Sequence, residues 1–338
     1  MPSAKPQTPS AALAAIAAVA IAVSLSLGLT ACGGGDEGGQ ASGSTPSASD
    51  FPSAEGRTIE DVLAAQSPSD LVVAPAASVF ELGKNRYPFG VFNVDRSQVD
   101  DAEVALYFAK TAQSPVQGPL PATVETLETK PAYRSKGSEA PGEATSVYVV
   151  NDVRFDRAGP WLAIALINGD DGMEGARLPS PTVGQFPGVA RVGQKAPRVS
   201  TPTAASVGGD LSKIDTRQPP SSMHEADLED VLGKKPVVLL FATPALCQSR
   251  VCGPTVDAAE QVKAEVGDGV EFIHMEVYND NDPNKGLRPQ LAAYGLQTEP
   301  WVFLIGSDGR IKQRMEGAFG VEELRSAVED LKASESSG

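Results

Sequence analysis

The chain has 338 residues, and its 43 acidic residues against 28 basic ones give a formal charge of −15. That balance excludes the basic footprint of a nucleic-acid binder and implies a soluble, self-repelling surface. Hydrophobic residues make up 41% of the chain, enough for packed cores, and the length allows two domains of ordinary size.

Lys5 supplies a thin positive start, and an apolar run follows from Ala11 to Leu29. The run ends in Leu29-Thr30-Ala31-Cys32. A charged start, an apolar core and small residues at the cut are the parts of a secretory signal. An uncleaved membrane-spanning helix is the alternative, since the run is almost long enough to cross a bilayer. The L-T-A-C stretch resembles the bacterial lipobox, whose cysteine is lipidated and becomes the first residue of the mature protein. The resemblance implies a signal peptide over residues 1–31, a lipid on Cys32, and a protein anchored at the extracytoplasmic face of the bacterial cell membrane. Residues 32–66 begin "CGGGDEGGQASGSTPSASD", a Gly/Ser-rich composition expected to act as a flexible tether.

From 67 to 190 the pattern is short β-like runs, among them "FGVFNV", "AEVALYFA", "TSVYVVNDVRF" and "WLAIALIN". Their Val, Phe, Tyr and Ile content and partial alternation favour half-buried strands. Several such strands separated by Pro, Gly, Asp and Asn predict an all-β sandwich, similar to an immunoglobulin domain in pattern only, because the region has no cysteine. Residues 191–219 are rich in Pro, Ser, Thr and Gly and read as a linker or lead-in.

Residues 220–333 change character. "KPVVLLFATP" is a continuous apolar run, as expected for a strand buried on both faces. A helix is predicted over about 255–266, a strand at "VEFIHMEVY", a short helix ending at Gly295, a hairpin at "PWVFLIGSDGRIKQRMEG" and an amphipathic helix at "VEELRSAVEDLKA". Residues 334–338 read as a disordered tail.

Apart from Cys32 the chain has two cysteines, Cys247 and Cys252. A location outside the cytoplasm permits their pairing as a disulfide. Residues five apart on one unbroken helix are too far apart and too far rotated to bond. Gly253-Pro254 instead starts a helix near Cys252 to Pro254, leaving Cys247 in the loop before it. Such a short loop stabilises by only about 2 kcal/mol, and a thiolate at a helix N-terminus is favoured. Arg250 adds positive charge nearby. A working redox pair, a structural staple and a metal clamp remain the three readings. Metal binding needs more ligands than this motif offers, and of the two histidines, His274 reads as a core strand residue.

Three stretches carry a resemblance to the thioredoxin superfamily, and to its redoxin and peroxiredoxin branches. They are "VGQKAP", "LEDVLGKKPVVLLFATPALC" and "TEPWVFLIGSDGRI". The resemblance covers about 190–333 and implies a multi-domain chain, an all-β sandwich followed by an α/β thioredoxin-like domain. It implies that Cys247 and Cys252 are catalytic, Cys247 attacking and Cys252 resolving. It further implies that Pro300, preceded by Glu299, matches the family's cis-proline. With Thr243 and Pro244 these two residues would position a substrate. The departures are a C-x-x-x-x-C spacing, Leu246 in place of a tryptophan, and Leu240 where a buried acid would take a proton. The expected partners are the membrane, protein thiol or disulfide substrates and a redox partner that recycles the pair; no cofactor is expected. A binding module with a structural disulfide and a peroxiredoxin-like peroxidase are the alternatives; the peroxidase pattern has Pro244 where it needs a threonine.

Overall fold

The computed structural model describes residues 45–169 and 172–336. The expected signal peptide, Cys32 and residues 32–44 of the tether lie outside the described residues. No helix among the described residues is long and apolar enough to cross a membrane.

The segment read as the end of the tether is folded. Helix α1 (Ile59–Ala64) is capped reciprocally: the Thr58 hydroxyl accepts from the Asp61 amide, and the Asp61 carboxylate accepts from the Thr58 amide. Phe51, Ala54, Ile59 and Val62 are buried against Ala105, Tyr107, Ala109, Ile164 and Leu166. Four spaced apolar residues outweigh the Gly/Ser-rich average, because burial depends on which side chains reach a core.

The first strands are β1 (Ser67–Pro68), β2 (Val72–Pro75), β3 (Gly83–Phe92) and β4 (Gln98–Val99). Next come β5 (Glu103–Ala109), β6 (Val116–Pro121), β7 (Thr123–Thr126) and β8 (Ser146–Phe155). Then follow β9 (Gly159–Pro160), β10 (Leu162–Gly169), β11 (Gly172–Arg177) and β12 (Thr182–Val183). One sheet runs β1-β11-β10-β5-β6; the other runs β2-β3-β8-β7, with β4 paired to β3. They share a core of Tyr87, Phe89 and Tyr148 from one sheet and Leu106, Phe108 and Ile167 from the other. Alternation explains β5: Val104, Leu106 and Phe108 point into that core, while Ala105, Tyr107 and Ala109 meet α1 on the opposite face.

The remaining elements are α2 (Leu228–Val231), β13 (Val237–Phe241), α3 (Cys252–Val266), β14 (Glu271–Met275), α4 (Pro289–Tyr294), β15 (Trp301–Ile305), β16 (Ile311–Glu316) and α5 (Val321–Ser336). Their sheet runs β14-β13-β15-β16, with β13 parallel to β14 and antiparallel to β15. β13 is buried on both faces. Val238 and Leu240 meet α3 and α5, while Val237, Leu239 and Phe241 meet Ala196, Leu228, Leu291 and Tyr294.

The expected fold class, an all-β sandwich followed by an α/β thioredoxin-like domain, needs correcting. Strands in several sheets dominate the described residues, against five α-helices of which three span six residues or fewer. Only α3 and α5 are long enough to cover a sheet face. The other face of the β13 sheet is closed by irregular chain around Val189–Ala196 and by the short α2 and α4. The apolar spacing in the sequence located individual elements without fixing how much helix would layer on the sheet.

The described residues belong to a single compact unit. The expected linker 191–219 is packed chain: the Ala196 amide donates to the Gly309 carbonyl, the Ile311 amide to the Gln194 carbonyl, and Asp215 and Arg217 are buried. The Glu316 carboxylate accepts from the Ser78 and Val79 amides and from the hydroxyls of Ser78 and Thr298. Arg86, in the "GKNRYPFGVFN" stretch, pairs through both Nε and Nη2 with Glu323. Gly317 has a φ of +81°, and a Cβ there would lie 2.5 Å from the Ala76 carbonyl oxygen, so glycine is required on both counts. Residues 334–336, read as tail, complete α5.

Candidate functional site

Cys252 is the first residue of α3 and is fully buried; Cys247 lies in the preceding loop and is half-buried. The two are joined as a disulfide with Cα atoms 6.0 Å apart. Of the four residues between them, Gln248, Ser249 and Arg250 are exposed and Val251 is half-buried; Arg250 has a φ of 57°. Ser249 Oγ is 3.2 Å from Cys247 Sγ. The Arg250 guanidinium is turned to the Gly142 carbonyl, and the Ala144 amide donates to the Arg250 carbonyl. Residues 135–144, from the first half of the chain, therefore rim the bridge.

The Glu299–Pro300 peptide is cis, and Glu299 lies beside the pair: its Oε2 is 3.7 Å from Cys252 Sγ. Burial raises the Glu299 carboxyl, the nearby Glu276 raises it further, and a bond from the Thr243 amide opposes them; the result is about 8. A group expected to position substrate is thus an acid that keeps its proton near neutral pH. Thr243 is buried, with its hydroxyl unpartnered among the described residues. Pro300 is buried and its carbonyl accepts from Gly317. Pro244 is half-buried next to Thr243. Cys247, Cys252 and Glu299 have ligand atoms within 4.8 Å of one another.

No protein-family model matches the chain, and no curated protein matches it. The site's chemistry therefore rests on its own geometry.

Beside Glu299 lies a buried polar cluster that the sequence did not suggest, because its members are far apart along the chain. The Asp215 carboxylate sits 3.0 Å from His224 Nε2 and 3.4 Å from His274 Nδ1, and accepts from the Ser221 and Arg217 amides. His274 Nε2 lies 3.0 Å from the Ala242 carbonyl, one residue before Thr243. Glu276 accepts from the amide and hydroxyl of Thr216. Burial would lower His274, but Asp215, its hydrogen bond and Glu276 carry it up to about 9. Burial would raise Asp215, yet the two histidines hold it well below the usual range. Burial lowers His224 against the pull of Asp215.

These shifts set a pH dependence. The stability His274 adds is fully present below its ordinary 6.5 and is lost as pH rises through about 9. Glu299 keeps its proton in the fold up to about 8 but only to 4.5 when unfolded, so stability falls across that interval too. His224 acts oppositely, below 6.5. Above pH 6.5 the two losses add, and the melting temperature should fall steadily to about pH 9. Glu299→Gln should gain on the wild type between pH 4.5 and about 8, the interval in which only the wild type loses stability at this position. A wild-type melting temperature that rises from pH 6.5 to 9 would contradict this charge arrangement.

Proposed function

We propose that the protein is a thiol–disulfide oxidoreductase acting on protein disulfides, held by a lipid on Cys32 at the extracytoplasmic face of the membrane. The observation that carries the chemistry is the asymmetry of the pair. Cys247 is reachable from solvent, while Cys252 is enclosed at a helix start with the Glu299 carboxyl 3.7 Å from its sulfur. In the reducing direction the Cys247 thiolate attacks a substrate disulfide, forming a mixed disulfide and expelling one substrate thiolate. Glu299, once ionised above about pH 8, takes the proton of Cys252, whose sulfur then attacks Cys247 and expels the second substrate thiolate. The substrate gains two electrons and the protein closes its bridge. The reverse sequence oxidises a substrate dithiol. Residues 135–144 supply a rim for the substrate chain, which gives the first half of the molecule a role in recognition. The L-T-A-C stretch supports the anchor and the location.

The test is the reduction potential of the bridge, equilibrated against glutathione and dithiothreitol buffers. Trp301, which directly follows Pro300, offers a fluorescence signal. A value between about −120 and −270 mV fits a catalytic pair, and one below about −300 mV makes it a structural staple.

A further inference from the structure

The bridge and Glu299 together have the makings of a second kind of site. We propose that the dithiol form binds a zinc ion through Cys247 Sγ, Cys252 Sγ and a Glu299 carboxylate oxygen. This rests on the exchange reading only in requiring that the bridge can be opened.

Zinc takes thiolates at about 2.3 Å and carboxylate oxygens at about 2.0–2.2 Å in a tetrahedral arrangement. That geometry separates one sulfur from one oxygen by about 3.5 Å. Cys252 Sγ and Glu299 Oε2 stand 3.7 Å apart, long for a direct bond between them and suited to two ligands of one ion. All three ligand atoms lie within 4.8 Å of one another. Opening the bridge needs a dithiol reductant: the S–S bond breaks, two electrons and two protons pass to the cysteines, and the reductant leaves as its own disulfide. The sulfurs then have only to part to about 3.8 Å, the separation of two thiolates on a tetrahedral zinc. The exposed Gln248-Ser249-Arg250 loop can absorb that movement. Loading zinc expels the two thiol protons and the proton of the Glu299 carboxyl.

The ligand set selects the metal. Two thiolates disfavour magnesium and calcium, and the added carboxylate favours zinc over monovalent copper, for which soft sulfur ligands suffice. The Thr243 amide that bonds the Glu299 carboxylate supplies the supporting contact such a ligand needs. Three protein ligands would leave one place open, as in zinc sites that admit water or substrate. A bound ion would also hold the sulfurs apart and block closure of the bridge. The Asp215, His224 and His274 cluster also meets the distance requirement. Its carboxylate, however, already takes the Ser221 and Arg217 amides, and its members are fully enclosed.

The experiment uses the soluble chain reduced with dithiothreitol, desalted anaerobically and titrated with zinc against a chromophoric chelator. Cobalt(II) serves as the optical probe of geometry. The expected result is one zinc per reduced chain, none per oxidised chain, and a tetrahedral thiolate–cobalt spectrum. Glu299→Gln should weaken zinc by at least about ten-fold, with the free-thiol count unchanged. Equal affinity in that variant, or zinc uptake by the oxidised chain, overturns the proposal. Two free thiols with no zinc bound overturn it alone and leave the exchange reading standing. A bridge that resists reduction in the folded chain overturns both.

Discussion

Cys247→Ser should abolish disulfide exchange, lowering the rate by at least about three orders of magnitude, as happens when a residue that forms the covalent bond is removed. Cys252→Ser should behave differently. It leaves the exposed sulfur free to attack, so a mixed disulfide with the substrate should accumulate and turnover should stop. The difference follows from burial: Cys247 is half-buried in an exposed loop, and Cys252 is enclosed at the start of α3. Non-reducing gels and intact mass after mixing with a disulfide-bonded substrate read both outcomes. Full activity in both single variants would end the exchange reading. The mixed species forming on Cys252 in Cys247→Ser would reverse the roles. Melting temperatures of the variants beside that of the reduced wild type separate lost chemistry from lost structure.

Asp257→Ala should cost about 3–5 kcal/mol of stability, because it strands a buried cation. Asp257 lies on α3 and accepts from Arg217 Nε at 2.7 Å and from the Ser135 amide at 2.7 Å. Both side chains are almost wholly enclosed, at 5% and 1% exposure. Arg217 also donates to the Pro219 and Tyr133 carbonyls, so it cannot swing out to water without breaking them. Thermal and urea unfolding should show a midpoint lower by roughly 10 °C for a unit of this size. A loss under about 1 kcal/mol would put the pair among exposed bridges and contradict the burial. The same change frees residues 135–144 from α3, so exchange with a protein substrate should weaken more than exchange with a small disulfide.

What the sequence disclosed follows from which interactions are local. The apolar runs at 237–241 and 301–305 and the helical spacing from Val321 to Leu331 mark elements where they stand. The helix geometry of a five-residue separation placed the start of α3 between Cys252 and Pro254 and left Cys247 outside it; the helix starts at Cys252. The class built on those elements did not hold, because helix content and layering depend on lengths and partners that periodicity does not encode. Composition misled at both ends of the described chain: Phe51, Ile59 and Val62 are buried within a tether-like stretch, and residues 334–336 extend α5. Glu299 was visible only as the neighbour of Pro300. Its closeness to Cys252 crosses 47 positions, and the contact between Asp215 and His274 is longer still. The one available signal was a carboxylate before a proline beside a tryptophan, which says nothing of burial.

The seam around Glu316 bears on the order of events during synthesis. Its carboxylate accepts from amides 238 and 237 positions earlier, and Arg86 reaches Glu323 across 237. The entropy of closing so long a loop grows slowly with length, so equilibrium tolerates it, but the search for such contacts is slow. The first two sheets can assemble while the ribosome is still working; the seam must wait for β16 and α5, which come after every strand of those sheets. Until then Arg86 and two backbone amides stand open on a nascent chain. A product cut short before Glu316, by an early stop codon or a protease, would keep its early sheets and expose that unsealed edge to quality control.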